Sequence, residues 1–75
     1  MQEKFKTFET FGERLIALRK DKGLNQIELS KALGVGKSII SHWERNEKKP
    51  TLDNLKSISL FFNVSIDYLA GLKDY

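Results

Sequence analysis

The middle of the chain carries most of the side chains that are able to do chemistry. Within residues 37–45, Ser38 and His42 are one helical turn apart, which is the spacing of a nucleophile and its general base. Lys37 and Arg45 are cations in the same stretch, and both attract phosphate or carboxylate groups. Two kinds of chemistry are therefore open, nucleophilic catalysis and the binding of an anion.

Catalysis and nucleotide binding are both disfavoured. Ser38 and His42 are expected on the exposed, convex face of a helix, with neither a pocket nor an oxyanion site beside them. Gly36-Lys37-Ser38 imitates the end of a phosphate-binding loop, but Lys31 stands where the motif needs its first glycine, and no strand precedes it. One histidine and no cysteine offer no metal cluster. We therefore expect no enzyme, no catalytic residue, no metal and no cofactor.

Helical spacing separates a buried side from a polar side in this segment. Ile40 and Trp43 are three residues apart, so a helix places both in one apolar stripe. The side chains that then lie roughly 130° to 170° from the centre of the stripe are Ser38, Ser41, His42 and Arg45. Trp43 is interpreted as a core residue, the alternative being a ring that stacks on an unpaired base.

Capping signals divide the chain into five short helices. The expected starts are Thr10, Asn25, Gly36, Thr51 and Ser65, and the expected ends include Gly23, Gly34, Asn46 and Gly71. The apolar positions that repeat at helical spacing are Phe11, Leu15, Leu18, Ile27, Leu29, Leu33, Leu52, Leu55, Ile58, Phe62, Ile66 and Leu69. Because no segment shows the alternation of a strand, the predicted fold class is all-α, a compact bundle of five short helices over residues 10–75, preceded by an arm at residues 1–9.

Composition narrows the function further. A chain of 75 residues is one small domain, too small for a large enzymatic cleft. It has no cysteine, no apolar stretch of the ~20 residues that span a bilayer and no secretory signal, so we expect a cytoplasmic protein without membrane contact. The net charge of +3 is compatible with an anionic partner but supports one only weakly.

The residues from Leu24 to Asn46, LNQIELSKALGVGKSIISHWERN, form the strongest motif. They are predicted to be helices two and three, joined by a tight turn at Gly34. The segment resembles the helix-turn-helix of the lambda repressor/Cro-type family, also called the xenobiotic response element family, and the resemblance extends from about Phe11 to Leu72. Two positions depart from the family pattern, because Gly36 replaces the usual Ser or Thr cap and Ile39 replaces a small polar residue.

The resemblance implies a lambda repressor-like DNA-binding domain whose third helix, at about residues 37–45, enters the major groove of double-stranded DNA. The base-reading positions of the family correspond to Lys37, Ser38, Ser41 and His42. The expected phosphate contacts are Gln26, Arg45, Lys48 and Lys49. Gln26 has the best physical support, because the start of a helix attracts anions. The alternative for each charged residue is an ordinary solvated side chain.

Glu44 is expected close to the core, about 70° from the buried stripe, so a cation should neutralise it. In the family, the matching glutamate pairs with an arginine late in helix one, which corresponds here to Arg19. We therefore expect a partly buried ion pair that orients helix three. Ile40 and Trp43 should hold the same helix from its apolar side.

Useful selectivity normally needs two copies of such a domain, on half-sites ~34 Å apart. Surplus apolar side chains lie late in the chain, at Leu60, Phe61, Tyr68, Leu72 and Tyr75. They predict a homodimer through helices four and five. The alternative is that Leu60 and Phe61 cover helix five or the N-terminal phenylalanines of the same chain.

These observations together predict a sequence-specific regulator of transcription, most simply a repressor of bacterial or phage type. Its partner would be double-stranded DNA with a pseudo-palindromic operator, and no small-molecule ligand is evident. The alternative is a protein-interaction module, such as an antitoxin or an anti-repressor-type partner, in which DNA binding is secondary.

Overall fold

The computed structural model describes residues 10–74, which form five α-helices and no strand. Their bounds are α1 Phe11–Asp21, α2 Gln26–Leu33, α3 Lys37–Glu44, α4 Leu52–Phe62 and α5 Ile66–Leu69. The prediction of an all-α bundle of five short helices is confirmed. The expected arm at residues 1–9 and the apolar Tyr75 lie outside the described residues. None of the five helices is both long and apolar enough to cross a bilayer.

Local side-chain bonds begin four of the five helices. Thr10 and Asn25 each form a capping box with the glutamate three residues later, which satisfies amide groups that a helix start leaves unpaired. Thr51 and Ser65 cap α4 and α5 in the simpler way, by accepting one backbone N–H each. Helix α3 is the exception, because Gly36 stands at its N-cap and has no side chain to accept a bond.

All five helices close in the same way, with a residue in the left-handed region. These residues are Gly23, Gly34, Asn46, Asn63 and Gly71. After each of them, the next N–H bonds the carbonyl five residues back, which is the Schellman arrangement. Helix α3 itself ends at Glu44 with Arg45 as its C-cap, and Asn46 takes the left-handed position expected of it.

The core lies between the helices and includes the apolar side of α3. Its buried members are Leu15, Leu29, Ile40, Trp43, Ile58, Phe62 and Leu69. The ring of Phe11 meets that of Trp43 edge to face, with centroids 6.1 Å apart. Ile39, which departs from the family pattern, packs against this core as well. Ile27 and Leu52 are two of the apolar positions at helical spacing, yet they are 51% and 62% exposed, each in the first turn of its helix.

The apolar residues late in the chain divide into two kinds. Leu60 and Leu72 are 83% and 75% exposed. Phe61 was predicted as a surplus apolar side chain for a dimer, but it packs against the core, with its ring centroid 4.9 Å from that of Phe62. It follows Ile58 by one helical turn, at the edge of the buried stripe. Tyr68 is also partly buried.

Arg14 is a buried cation whose burial was not predicted from the sequence. Its guanidinium lies 4.5 Å from the centre of the Tyr68 ring and donates to the Tyr68 carbonyl at 2.8 Å. It also donates to the carbonyl of Lys73 and lies 3.6 Å from the carboxylate of Asp74. The last described residues are therefore bound to α1, behind the helix-turn-helix.

Candidate nucleic-acid interface

Helix α3 has a buried inner side and an exposed outer side. Ile40 and Trp43 are buried on its inner side, which packs against α1 and α2. On its outer side Lys37 and Ser38 are exposed, and Ser41 and His42 are partly exposed. This outer side is therefore open at Lys37 and Ser38 and partly open at Ser41 and His42, which gives a partner access to it.

A buried bidentate ion pair fixes the end of α3 to α1. The Nε of Arg19 lies 2.6 Å from Oε2 of Glu44, and its Nη2 donates to Oε1 at 3.0 Å. The pair expected from the sequence is thus present. The remaining donor of Arg19 bonds the carbonyl of Leu24 at 3.0 Å. Glu44 raises the pKa of Arg19, chiefly through this hydrogen bonding, so the guanidinium keeps its charge.

Gln26 joins the same network. Its Nε2 donates to Oε1 of Glu44 at 2.9 Å. Gln26 is the first residue of α2, where the N–H groups are unpaired within the helix and the dipole favours an anion. Glu44 therefore links three helices, α1 through Arg19, α2 through Gln26 and α3 through its own backbone. This second bond to Glu44 was not predicted.

A second, exposed cluster surrounds Glu47, and we call Ser41, His42, Arg45 and Glu47 the Glu47 cluster. Arg45 donates to Glu47 from Nε and Nη2, each at 3.0 Å, and Nδ1 of His42 lies 2.8 Å from Oε1 of Glu47. Arg45 also donates to the hydroxyl of Ser41. Three of the outward residues predicted from helical spacing thus lie together in one cluster with the carboxylate of Glu47.

The helix end explains why Glu47 lies there. Asn46 adopts φ 59°, and the N–H of Glu47 bonds the carbonyl of His42 at 2.8 Å, so the chain turns back over the last turn of α3. In the usual Schellman closure, apolar side chains meet at these two positions. Here a carboxylate and an imidazole meet instead. The sequence does contain a signal for this contact. A left-handed residue at Asn46 predicts a Schellman closure, which brings Glu47 next to His42.

The same turn is clamped to the start of α1. Oδ1 of Asn46 accepts from the N–H of Gly12 at 2.9 Å, and its Nδ2 donates to the Thr10 hydroxyl at 3.1 Å. A Cβ on Gly12 would lie 2.5 Å from the carbonyl oxygen of Glu44, so only glycine allows this approach. Both Gly12 and Asn46 position α3 without belonging to its outer face.

The other predicted contacts lie apart from these two networks. Lys37 and Ser38 are exposed in the first turn of α3. Lys48 and Lys49 are exposed in the loop before α4, where they border a crevice of about 370 Å³ whose other lining residues include Thr10, Phe11 and Pro50. The structure thus brings Gln26 to the buried pair and Arg45 to the Glu47 cluster, and leaves both loop lysines elsewhere.

Comparison with known proteins decides the family. A family model described as helix-turn-helix matches residues 15–69, which is most of the chain. The chain belongs to this helix-turn-helix family. The match covers the buried pair, the α2–α3 turn and the Glu47 cluster.

Individual relatives agree with this assignment. The transcriptional activator BcrR of Enterococcus faecalis is 44% identical over 59 residues, which are 79% of this chain and 29% of that protein. The crystal structure of the P22 c2 repressor with a synthetic operator superposes with a TM-score of 0.80 at 39% identity, and covers 85% of this chain and 97% of the other. The structure of SinR in complex with DNA gives a TM-score of 0.74 at 36% identity, over 80% and 97% of the two chains.

The matched curated relatives are mostly longer. This chain spans 29% of BcrR, 55% of the regulator YobD of Bacillus subtilis and 49% of ImmR from the same species. The similarity therefore concerns the helix-turn-helix region of those proteins.

Proposed function

We propose that this helix-turn-helix domain is a sequence-specific DNA-binding module of a transcription regulator, and that it inserts α3 into the major groove. The observation that carries the proposal is the combination of an uncovered polar face on α3 with a buried ion pair that fixes the helix from behind. A helix of this size fits the major groove, where each base pair presents a distinct pattern of donors and acceptors. That the P22 c2 repressor and SinR have been solved with DNA supports the same function here.

The proposed roles follow the geometry. Lys37, Ser38, Ser41 and His42 read base edges from the first and middle turns of α3. Gln26 binds a backbone phosphate at the start of α2, with its side chain oriented by Glu44. Arg45, Lys48 and Lys49 are the proposed phosphate contacts on the other side.

We propose repression as the direction of control, in the cytoplasm where the DNA lies. Relatives include repressors of Salmonella phage P22 and Bacillus phage phi105, and also an activator. Occupancy of a promoter is enough to block transcription, whereas activation requires a further productive contact with the polymerase. The alternative of a protein-binding module has less support, because the uncovered face of α3 offers cations and hydroxyl groups instead of an apolar groove.

The test is duplex binding as a function of salt, followed by selection of bound duplexes from a random pool. We expect log affinity to fall linearly with log salt, by ~0.9 per phosphate contacted. Lys37→Ala should cost ~1 to 3 kcal/mol and broaden one base position if it reads a base. Lys56→Ala on α4 removes the same charge and is the control. A duplex affinity that does not depend on salt concentration, or a random pool from which no sequence is enriched, would contradict the proposal.

We also propose a homodimer through α4 and α5, centred on the exposed side chains of Leu60 and Leu72. Phe61 and Tyr68 flank them and contribute only their exposed parts. Sedimentation at micromolar concentration should give about twice the 8.7 kDa of the chain, and Leu60→Glu should return the protein to the monomer. A wild-type protein that sediments only as 8.7 kDa would rule this dimer out.

A further inference from the structure

Glu47 is the one acidic side chain of the Glu47 cluster, and both of its oxygens are bound within the cluster. Arg45 binds both of them, from Nη2 to Oε1 and from Nε to Oε2, so the plane of the carboxylate is fixed. Oε1 then faces Nδ1 of His42 at 2.8 Å. The left-handed conformation of Asn46 and the backbone hydrogen bond from Glu47 to His42 place this carboxylate beside the imidazole.

The carboxylate is ionised. Hydrogen bonds from Arg45, and then from His42, lower the pKa of Glu47 from 4.5 to about 2. An ionised carboxylate only accepts hydrogen bonds. The imidazole nitrogen that faces it must therefore carry the proton, so Nδ1 of His42 is the donor in this contact.

A proton on Nδ1 decides what the other ring nitrogen can do. In a neutral imidazole one nitrogen donates and the other accepts, and the bond at one of them selects the tautomer. In the neutral imidazole with Nδ1 protonated and bound to Glu47, Nε2 is left as an acceptor. His42 is partly exposed on the outward side of α3, so this acceptor is offered to a partner in the groove.

We infer that Glu47 determines the base preference of His42, as a positioning residue that makes Nε2 a hydrogen-bond acceptor. This inference rests on the proposed function, because it concerns the base that α3 reads. In the major groove, the complementary donors are the N6 amino group of adenine and the N4 amino group of cytosine. Guanine and thymine present acceptors at the equivalent positions, and Nε2 of this tautomer has no proton to donate to them.

Arg45 has a separate role in the Glu47 cluster. It holds the carboxylate in plane and is itself bonded to the hydroxyl of Ser41, so the cluster forms one chain along the end of the helix. The discriminating step is the contact between Glu47 and His42. A matched variant should therefore change Glu47 and keep Arg45. Glu47→Gln does so, because the glutamine side chain has nearly the same shape as glutamate. Its amide presents either an oxygen or an N–H to Nδ1, so both tautomers become possible.

The first experiment needs no DNA. Nitrogen-15 NMR of the histidine ring, recorded at about pH 8.5 where an ordinary imidazole is neutral, reports which nitrogen carries the proton. The wild type should show protonated Nδ1 and unprotonated Nε2, and Glu47→Gln should add the opposite tautomer. A wild-type ring protonated mainly at Nε2, or a tautomer ratio that Glu47→Gln leaves unchanged, would overturn the inference.

The second experiment selects bound duplexes from a random pool with three proteins of the full chain. The wild type should prefer adenine or cytosine over guanine at one position by about tenfold, the discrimination expected of one base contact. Glu47→Gln should reduce this preference to about twofold there and leave other positions unchanged. Asp21→Asn makes the same change in net charge at the end of α1 and should select the wild-type sequence.

A double variant separates positioning from a general gain in affinity. In a His42→Ala background, Glu47→Gln should no longer alter base preference, because its effect acts through the ring. If it still does, the inference is wrong. If no protein enriches any duplex, the proposed DNA-binding function fails and the base preference with it, whereas the NMR result still decides whether Glu47 sets the tautomer.

Discussion

Two glutamates at the end of α3 each bind an arginine, yet their surroundings differ completely. Glu44 is 7% exposed and takes its donors from two other helices, Arg19 of α1 and Gln26 of α2. The side chain of Glu47 is 48% exposed and takes its donors from the last turn and the C-cap of α3, His42 and Arg45. The buried glutamate fixes where the helix lies, and the exposed one organises what the helix presents.

The physical reason for this difference is the solvent. Removal of one partner from a buried pair leaves a charge that water cannot reach, which is costly. An exposed pair is screened by water and contributes little to folding. Predictions that change one network and leave the other intact therefore test whether stability and recognition are separate in this domain.

The largest effect is expected at the buried pair. Arg19→Ala leaves the carboxylate of Glu44 buried without its main partner, and should lower the free energy of unfolding by ~3 to 5 kcal/mol. Urea denaturation measures this. Arg45→Ala removes an arginine from the exposed glutamate and is the matched control, expected to change the midpoint little. Equal losses in the two variants would show that burial is not what distinguishes the networks.

Gly12→Ala should have the next largest effect. The added Cβ would lie 2.5 Å from the Glu44 carbonyl oxygen and 2.7 Å from that of Trp43, and both are backbone atoms that cannot rotate away. We expect a loss of ~1 to 3 kcal/mol, as for other overpacked sites, although alanine is the better helix former. Gly36→Ser is the control, since a Cβ at Gly36 meets nothing nearer than 3.9 Å and the hydroxyl supplies a missing cap worth a few tenths of a kcal/mol. A stable Gly12→Ala protein would contradict this close packing of α1 on α3.

The parts of the fold that could be predicted from the sequence depend on neighbours in the chain. Thr10 with Glu13, and Asn25 with Glu28, form the capping boxes expected, because both partners lie within one helical turn. Asn46 takes the left-handed conformation for an equally local reason.

What could not be predicted depends on contacts far apart in sequence. Periodicity does not reveal where a core ends, since Ile27 and Leu52 keep the helical spacing and are still mostly exposed. The burial of Arg14 needs Tyr68, and the close approach at Gly12 needs Asn46, and neither pairing has a local signal. The interface residues themselves remain predictions, since exposure alone does not distinguish a base-reading side chain from a solvated one.

Gln26→Ala should affect both stability and DNA binding. It removes a donor from buried Glu44, which should cost about 1 kcal/mol of stability, less than loss of Arg19 because the ion pair remains. It should also weaken binding to all duplexes alike, because a phosphate contact carries no sequence information. Binding to selected and unrelated duplexes measures the second effect. A change in the selected sequence would contradict the phosphate role.

The smallest effect concerns the exposed glutamate, and it is a shift of titration. In the folded protein Glu47 has a pKa of about 2 against an ordinary value of 4.5, with Arg45 as the first cause and His42 as the second. A lowered pKa means that the cluster is intact above pH 4.5 and opens as the pH falls toward about 2. Carbon-13 NMR of the Glu47 carboxyl follows this directly. Arg45→Ala should return the pKa toward 4.5, and His42→Ala should raise it by less. The reverse order would mean that the imidazole, and not the guanidinium, holds the carboxylate, and Arg45 would then be free to bind phosphate without disturbing His42.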